Sequence, residues 1–398
     1  MTPAPGDVVI VSGARTPFGR FRGAFASLSA VELGAVAARA AMSQAAGLGA
    51  ADVDAVLIGQ VLQAGAGQNP ARQTAVAAGV SLTVPAITLN KVCLSGLTAV
   101  IDGARLIGTG EASVVLVGGQ ESMTNAPHLL AGARLGLGYG DVTLVDAVAR
   151  DGLSDAFDGR AMGLATDEAN TGDTFASREG QDAIAAASHQ RAAAAVSAGR
   201  FDAEITPVTI PHRRGEPLVV TADEGLRVDS TAEALARLRP AFAAEGTITA
   251  GNASQISDGA AMLVLTTRAR AEVSGSPVLA TVRAHGQVAG PDTSLHSQPA
   301  HAIGAALSRQ GWSATDLDLV EINEAFAAVV AVSARRLGLD LTRVNQDGGG
   351  ISLGHPIGAS GARLVVHAAH ELRRRGGGRA AVALCGGGGQ GEALLLEA

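Results

Sequence analysis

The sequence predicts an α/β fold made of two copies of one strand–helix unit, with an irregular segment inserted into the first copy. Short apolar runs alternate with Ala- and Leu-rich stretches of helical spacing, and this alternation predicts sheets covered by helices. The order of elements in the first third of the chain returns in the last third. A chain of 398 residues is long enough to bury a substantial core.

The first copy opens with the apolar run DVVIVS, which predicts a strand ending near Gly13. The next stretch, 29–46, has helical spacing, and Ser29 with Glu32 fits a capping box at its start. The elements predicted after it are a strand at 54–58, a helix at 70–78, a strand at 86–89, a helix that follows Cys93 and reaches about Ile107, and a strand at 113–117.

The second copy shows clear parallels with the first. TDLDLVEIN at 315–323 parallels ADVDAVLIG at 51–59, and Gly-Ala-Arg-Leu occurs at both 103–106 and 361–364. Each Gly-Ala-Arg-Leu segment lies in a predicted helix, and each of these helices leads to a strand that ends in glycines. The alternative is a chance similarity of Ala-rich segments. Two such copies would meet at a pseudo-two-fold axis.

Within the first copy, after about residue 121, the regular alternation of strands and helices gives way to loops with one clear helix at about 178–198. Order resumes in GNASQISDGAAMLVLT, which belongs with the first copy. We therefore expect three units, with these boundaries: 1–121 together with 251–270, the inserted 122–250, and 271–398.

Composition and charge exclude several classes of protein. The net charge of −7 argues against nucleic-acid binding, and two cysteines in a chain of this length fit free thiols in a reducing compartment. No apolar run approaches about 18 residues, so no membrane span is expected. The start of the chain lacks the pattern of a secretory signal, which favours a cytoplasmic protein. The histidines show no metal-ligand spacing, so no metal is expected.

Two reactive side chains, His355 and Cys385, lie in or beside glycine-rich sequence, which lets backbone amides approach a ligand. Cys93 precedes a predicted helix, where the helix dipole would favour thiolate, and a nearby imidazole such as His355 could take the proton. Cys385 closes a predicted strand. Taken singly, Cys93 fits a small core residue, His355 a loop histidine and Cys385 a strand-end thiol. The internal repeat places all three at equivalent ends of the two units.

Asn323 ends a predicted strand, where it could cap a helix or hold a water molecule in the site. The run GGGGQG matches the spacing of a dinucleotide-binding loop, but the chain ends soon after it, with no following helix. The amide of Gly387, or of a neighbour, could instead stabilise a developing oxyanion.

These residues fall in motifs that together resemble the thiolases, and the likeness covers nearly the whole chain. The motifs that carry the resemblance are KVCLSG (91–96), NEAFA (323–327), GHPIGASG (354–361) and CGGGGQG (385–391), with further likeness in ARTPFG (14–19), GGQESMTNAP (118–127) and AGNASQISDGAA (250–261).

The resemblance implies a thiolase-like αβαβα fold of five layers, with two βαβαβαββ halves and a loop domain inserted in the first. It implies that Cys93 is the acylated nucleophile, that His355 activates it and that Cys385 is the acid/base at the substrate's α-carbon. Asn323 would hold a water that forms one oxyanion site with His355. The amides of Cys93 and Gly387 would form the other.

The resemblance also implies a coenzyme A site, with a guanidinium that suits phosphate and apolar residues that line the pantetheine tunnel. The matching positions are Leu153, Met162, Arg227, Ala250, Ser254, Ala325 and Phe326. For Arg227 the alternative is a solvated surface charge. Two positions depart from the family pattern: Ala161 stands where many short-chain thiolases have histidine, and Asp347 where asparagine is common.

The expected reaction is reversible Claisen condensation of two acetyl-CoA molecules to acetoacetyl-CoA and CoA, by ping-pong acyl transfer. CoA thioesters are then substrates, and no cofactor is expected. The alternatives are a thiolase for longer or unusual 3-ketoacyl chains, a decarboxylating condensing enzyme and a non-catalytic CoA-binding protein. The resemblance further implies a homodimer or homotetramer, the latter formed through about 124–145 of the inserted segment.

Overall fold

A computed structural model describes residues 4–211 and 215–398 of the chain. Residues 1–3 and 212–214, which fall in the first and second of the predicted units, lie outside the described part. The strands are β1 Val8–Arg15, β2 Gly19–Arg20, β3 Ala55–Gly59, β4 Ala86–Leu89, β5 Val114–Ser122, β6 His128–Leu129, β7 Val145–Asp146, β8 Val208–Ile210, β9 Leu218–Val220, β10 Ser257–Thr267, β11 Ala280–Ala289, β12 Leu319–Ile322, β13 Arg379–Gly386 and β14 Gln390–Glu397. The helices are α1 Ala30–Gln44, α2 Pro70–Ala77, α3 Ser95–Gly108, α4 Met162–Glu168, α5 Arg178–Ser197, α6 Ala232–Leu235, α7 Arg268–Ser274, α8 Gln298–Gln310, α9 Ala327–Arg336, α10 Gly350–Leu353 and α11 Ser360–Arg375.

Most of the predicted elements form where the local sequence places them. The capping box is present, since the Ser29 side chain accepts from the Glu32 amide while the Glu32 carboxylate accepts from the Ser29 amide. The first strand does not end at Gly13 as predicted. It continues to Arg15, because β10 pairs with it along its whole length and supplies the missing hydrogen bonds.

The two copies contribute matching parts to one ten-stranded sheet, ordered β12-β13-β14-β11-β1-β10-β5-β3-β4, with β2 paired to β10. In the first copy β3 runs parallel to β4 and β5, and in the second β12 runs parallel to β13. The copies join where β1 pairs with β11 through Val9–Thr281 and Ile10–Ala280. The predicted repeat is therefore present in the tertiary structure.

Helices cover these strands in five layers, as the fold class predicts. The helices α1 and α2 pack on the strands of the first copy, and α8 and α9 on those of the second. Between the two sets of strands lie α3 and α11, which pack against each other in the largest apolar cluster. Their approach is so close that a Cβ on Gly96 would lie 2.9 Å from the Ala362 nitrogen, and one on Gly361 2.4 Å from the Leu97 nitrogen.

The inserted segment carries α5, near the position predicted, and only short strands, which form two separate two-stranded sheets, β6–β7 and β8–β9. The boundaries that we place around this segment stay a prediction.

Buried ion pairs fasten the inserted segment to the first strand. The Arg15 guanidinium is fully buried and donates to Glu204 at 2.6 Å and to Asp223 at 2.7 Å. It also lies 5.3 Å from the centre of the Phe201 ring. These carboxylates satisfy a charge that would otherwise be costly to bury.

The same chain of charges reaches Asp347, one of the two departures from the family pattern. His367 lies between two carboxylates, with Nδ1 3.0 Å from Glu204 and Nε2 3.5 Å from Asp347. Arg200 makes a further ion pair with Asp347. Burial lowers the pKa of His367, but the charge of Glu204 and the contact with Asp347 outweigh it and raise the pKa to about 10. Asp347 thus pairs with a cation on either side.

Candidate active site

Cys93 lies in a sharp turn between β4 and α3, at the carboxyl end of the parallel strands, where ligands commonly bind in α/β sheets. Val92 has φ of 51°, a left-handed conformation that is strained for a β-branched residue. Ser95 supports this turn, since its Oγ accepts from the Lys91 amide at 2.8 Å and donates to the Val92 carbonyl at 2.6 Å. The turn therefore holds the cysteine in one place.

The surroundings of Cys93 favour the thiol, contrary to the prediction of a thiolate. The residue is half-buried beside an apolar cluster that includes Leu62, Met123 and Ile357. Burial raises the pKa of the thiol to about 11, although the amides of Cys93 and Gly387 lower it. Desolvation outweighs the helix dipole because the thiolate would lose most of its hydration.

His355 is buried and presents one unprotonated nitrogen. The Ser360 hydroxyl, at the start of α11, donates to the Pro356 carbonyl at 2.9 Å, so its oxygen is left to accept from His355 Nδ1 at 2.5 Å. That contact places the proton on Nδ1 and leaves Nε2 as the basic nitrogen. Burial, with a smaller effect from Arg363, lowers the pKa of His355 to about 4, so the imidazole is neutral at pH 7.

Asn323 follows β12 directly and points at this histidine, with Nδ2 3.3 Å from His355 Nε2. It does not cap a helix, because α9 begins at Ala327 with Phe326 as its N-cap residue. Of its two alternatives from sequence, only the one in the site is compatible with the structure.

Cys385 ends β13, and the following glycines form the turn into β14, with positive φ at Gly388 and Gly389. A strand rather than a helix follows, so this run is not a dinucleotide-binding loop. Cys385 is 1% exposed and packs with Ala325 and Phe326. Burial and the neighbouring Cys93 sulfur raise its pKa above the ordinary range of a thiol.

One cavity of about 670 Å³ has His355 in its wall, while Cys93, Asn323 and Cys385 do not line it. Most of the predicted coenzyme A positions line it: Leu153, Met162, Arg227, Ala250, Ser254 and Phe326. Ala325 does not line the cavity, but its carbonyl accepts from the Ser254 amide at 3.0 Å.

 Leu153 packs with the cluster that contacts Cys93, and Met162 with the cluster that contains Cys385, so each of these clusters shares residues with the cavity wall.

Several residues of the site were not predicted from the sequence. Arg20, Phe21 and Phe242 line the cavity, and no motif marked them, because they come from separate segments that only the fold brings together. Arg227 is exposed at the cavity, and its amide donates to His189 Nδ1 at 3.1 Å. Ser360 lies within the GHPIGASG motif, where a serine at a helix start was an available signal.

Candidate metal-binding groups and membrane-spanning helices are both absent from residues 4–211 and 215–398. Within these ranges no group of three or more His, Cys, Asp or Glu side chains is placed to hold a metal ion. No helix formed by the described residues is long and apolar enough to cross a membrane.

Comparison with known proteins agrees with the motifs. The thiolase N-terminal domain matches residues 8–269, and the thiolase C-terminal domain matches 276–398. A probable acetyl-CoA acetyltransferase of Mycolicibacterium smegmatis is 54% identical over 98% of this chain and 100% of its own length. A probable acetyl-CoA acetyltransferase of Mycobacterium tuberculosis is 55% identical over 98% of this chain and 99% of its own length. An acetyl-CoA acetyltransferase of Pseudomonas aeruginosa is 49% identical, also over 98% of this chain and 99% of its own length. The chain therefore belongs to the thiolase family.

Proposed function

We propose that this protein is an acetyl-CoA acetyltransferase, which condenses two acetyl-CoA molecules to acetoacetyl-CoA and CoA and also catalyses the reverse reaction. The observation that supports this most is the placement of Cys93 beside the Gly387 amide, in an apolar cluster with Leu153 and Ile357, which line the same cavity as the neutral imidazole of His355. The relatives that carry the name acetyl-CoA acetyltransferase support the choice of acyl group.

In the first half of the reaction, His355 Nε2 takes the proton of Cys93 as the sulfur attacks the thioester carbonyl. The protonation states at rest suit this order, because a neutral base and a neutral thiol exchange the proton only when the substrate arrives. The amides of Cys93 and Gly387 stabilise the oxyanion. The intermediate then collapses, CoA leaves with the proton from His355, and Cys93 carries the acetyl group.

In the second half, Cys385 first passes its thiol proton to His355 Nε2, and the resulting thiolate removes a proton from the methyl group of another acetyl-CoA. Asn323, through a bound water, and His355 stabilise the enolate, whose carbon attacks the acetyl group on Cys93. The Cys93 sulfur leaves and regains its proton from His355, and acetoacetyl-CoA is released. In the thiolysis direction Cys385 donates its proton to the leaving enolate, and its raised pKa favours that acid role.

The cavity wall supports a coenzyme A substrate. Its lining is mainly apolar, as a pantetheine arm requires, while Arg227 and Arg20 provide guanidinium groups suited to phosphate. No cofactor takes part in this scheme.

A second candidate function is thiolysis of longer or unusual 3-ketoacyl-CoA chains. The observation that favours it is Ala161, a small residue that lines the cavity where many short-chain thiolases have histidine. Steady-state thiolysis across a series of chain lengths separates the two. A preference for long chains would replace acetoacetyl-CoA as the substrate.

The experiment that tests the proposal is intact-protein mass measurement after incubation with acetyl-CoA. We expect one acetyl group on Cys93 in the native protein and in Cys385→Ala, and none in Cys93→Ala. Cys385→Ala should not condense acetyl-CoA, because no base remains at the α-carbon. Binding of CoA without acetylation would favour a non-catalytic protein, and normal condensation by Cys385→Ala would refute the role of Cys385.

We also propose a homodimer or homotetramer in the cytoplasm. Large apolar side chains are exposed at 135–144, just before β7 in the inserted segment, which supports subunit contacts there.

 They are Leu135, Leu137, Tyr139, Val142 and Leu144. Sedimentation of the native protein and of a variant with these positions made polar would reveal whether they hold subunits together.

A further inference from the structure

Glu121, a buried carboxylate at the end of β5, connects the two copies beside the proposed nucleophile. It is 0% exposed. Its Oε2 accepts from the amides of Val61 and Gly358, both at 2.9 Å, and its Oε1 accepts from the amide of Leu62 at 3.1 Å. Hydrogen bonds to a buried charge are stronger than those between neutral groups. The carboxylate therefore holds these three backbone amides in fixed positions relative to one another.

These amides belong to the two segments that surround the site. Leu62 follows β3 in the first copy and packs in the apolar cluster beside Cys93. Gly358 comes three residues after His355 in the second copy. The approach is close, because a Cβ on Gly119 would lie 2.0 Å from the Gly358 carbonyl oxygen. The position of the His355 loop against the first copy thus depends on Glu121.

The charge of Glu121 also acts on Cys93. Burial raises the pKa of Glu121 to about 7, the three amides lower it, and Asp258 on β10 raises it. The carboxyl is therefore mostly ionised above pH 7. In that form it raises the pKa of Cys93, in addition to the effect of burial. The titratable groups that face Glu121 are Cys93, before α3, and Asp258.

We propose that Glu121 is a positioning residue that joins the His355 loop to the Cys93 side of the site and whose negative charge acts on the Cys93 thiol. The assignment rests on the proposed function, in which Cys93 is the nucleophile and His355 its base. Because the thiol itself can be titrated, the assignment can be tested without turnover.

The test compares the native protein with Glu121→Gln, which keeps the shape of the side chain and removes its charge. We expect the pH midpoint of Cys93 alkylation by iodoacetamide to fall, since the thiolate no longer faces a negative charge. We expect kcat for condensation to fall about tenfold, because the amide replaces a charged acceptor of backbone hydrogen bonds. Because unfolding would also expose Cys93 and speed its alkylation, the comparison is limited to variants whose urea-unfolding curves match that of the native protein.

The matched control is Glu324→Gln. Glu324 is also buried and accepts from Ser188, Asn345 and the amide of Ile351, but it does not contribute to the pKa of Cys93. Its alkylation midpoint should equal that of the native protein. An unchanged or higher midpoint in folded Glu121→Gln would overturn the proposal.

If Glu121→Gln does not fold, Glu121→Asp carries the test. The shorter side chain keeps the charge and draws back from the amides, so we expect a native alkylation midpoint with a lower kcat. Native kcat in folded Glu121→Asp would overturn the positioning role. Failure of the proposed function would appear differently, as absence of acetyl transfer to Cys93 in the native protein.

Discussion

The proton positions on His355 depend on one hydroxyl group, that of Ser360. Its contacts with Nδ1 and the Pro356 carbonyl select the tautomer with a basic Nε2. The counterpart in the first copy is Ser95, which likewise begins a central helix and supports the turn that carries Cys93. Each reactive side chain is thus held by a serine at the start of the next helix.

Ser360→Ala should lower kcat about tenfold and leave KM nearly unchanged. The loss of a hydrogen bond worth about 1.4 kcal/mol releases the imidazole from its orientation, and this energy corresponds to a factor of about ten in rate. Steady-state thiolysis of acetoacetyl-CoA measures both constants. Ser333→Ala is a suitable control, because Ser333 is equally buried and donates to the His296 carbonyl away from the proposed site. Equal losses of kcat in the two variants would contradict the assignment.

At the scale of single elements, the turn before α3 is strained where it presents Cys93. A β-branched residue with φ of 51° is an outlier, and strain of this kind persists only where surrounding contacts impose it. Val92 also packs near Gly387, since a Cβ on that glycine would lie 3.4 Å from the Val92 side chain. The turn and the glycine hairpin therefore constrain each other.

Val92→Gly should raise the free energy of unfolding by about 1 kcal/mol, because glycine adopts this conformation without the steric cost. Acetylation of Cys93 should become slower, since the turn is less constrained. Urea unfolding measures the change in the free energy of unfolding, and quenched time courses of acetylation measure the rate at which Cys93 is acetylated. Ala46→Gly relieves another positive φ, 24°, outside the proposed site and should leave acetylation unchanged. A less stable Val92→Gly would show that the strain is not as inferred.

At the scale of the whole molecule, buried charges join parts of the chain that are distant in sequence. His367 on the central helix contacts Glu204 of the inserted segment and Asp347 of the loop before His355. The departure from asparagine at position 347 thus replaces a neutral side chain with a charged partner for His367 and Arg200.

Asp347→Asn should lower the free energy of unfolding at pH 7 by about 3 kcal/mol, because it leaves Arg200 without its carboxylate and leaves the buried His367 with Glu204 as its remaining carboxylate. Urea unfolding measures the change. Asp173→Asn breaks an exposed pair with Arg336 and should cost less than about 1 kcal/mol. If the two variants lose equal stability, the buried charges do not hold the molecule together as inferred.

Stability should depend on pH in two opposite ways. The pKa of His367 is raised to about 10, so its contribution is complete below about pH 6.5 and is lost as pH rises towards 10. Burial lowers the pKa values of His189, His296 and His355 to about 4, so stability is lost as pH falls from about 6.5 towards 4. Unfolding free energies measured from pH 4 to 10 should pass through a maximum. His367→Gln should flatten the alkaline side, and an unchanged alkaline slope would contradict this account.

The sequence by itself determined the fold class, most helices and strands, and the motifs that carry Cys93, Asn323, His355 and Cys385. It could do so because hydrophobic periodicity and capping are local, and because the internal repeat relates the two copies. Six of the seven coenzyme A positions that it supplied line the cavity.

Only the tertiary structure decided the protonation states and the partners of these residues. The thiol form of Cys93 follows from desolvation by a cluster gathered from distant segments, and it opposes the local effect of the helix dipole. The pairing of Asp347 with His367 and the three amides around Glu121 likewise join positions far apart in the chain. Burial and charge depend on what surrounds a side chain in space, and a local sequence pattern does not contain that information.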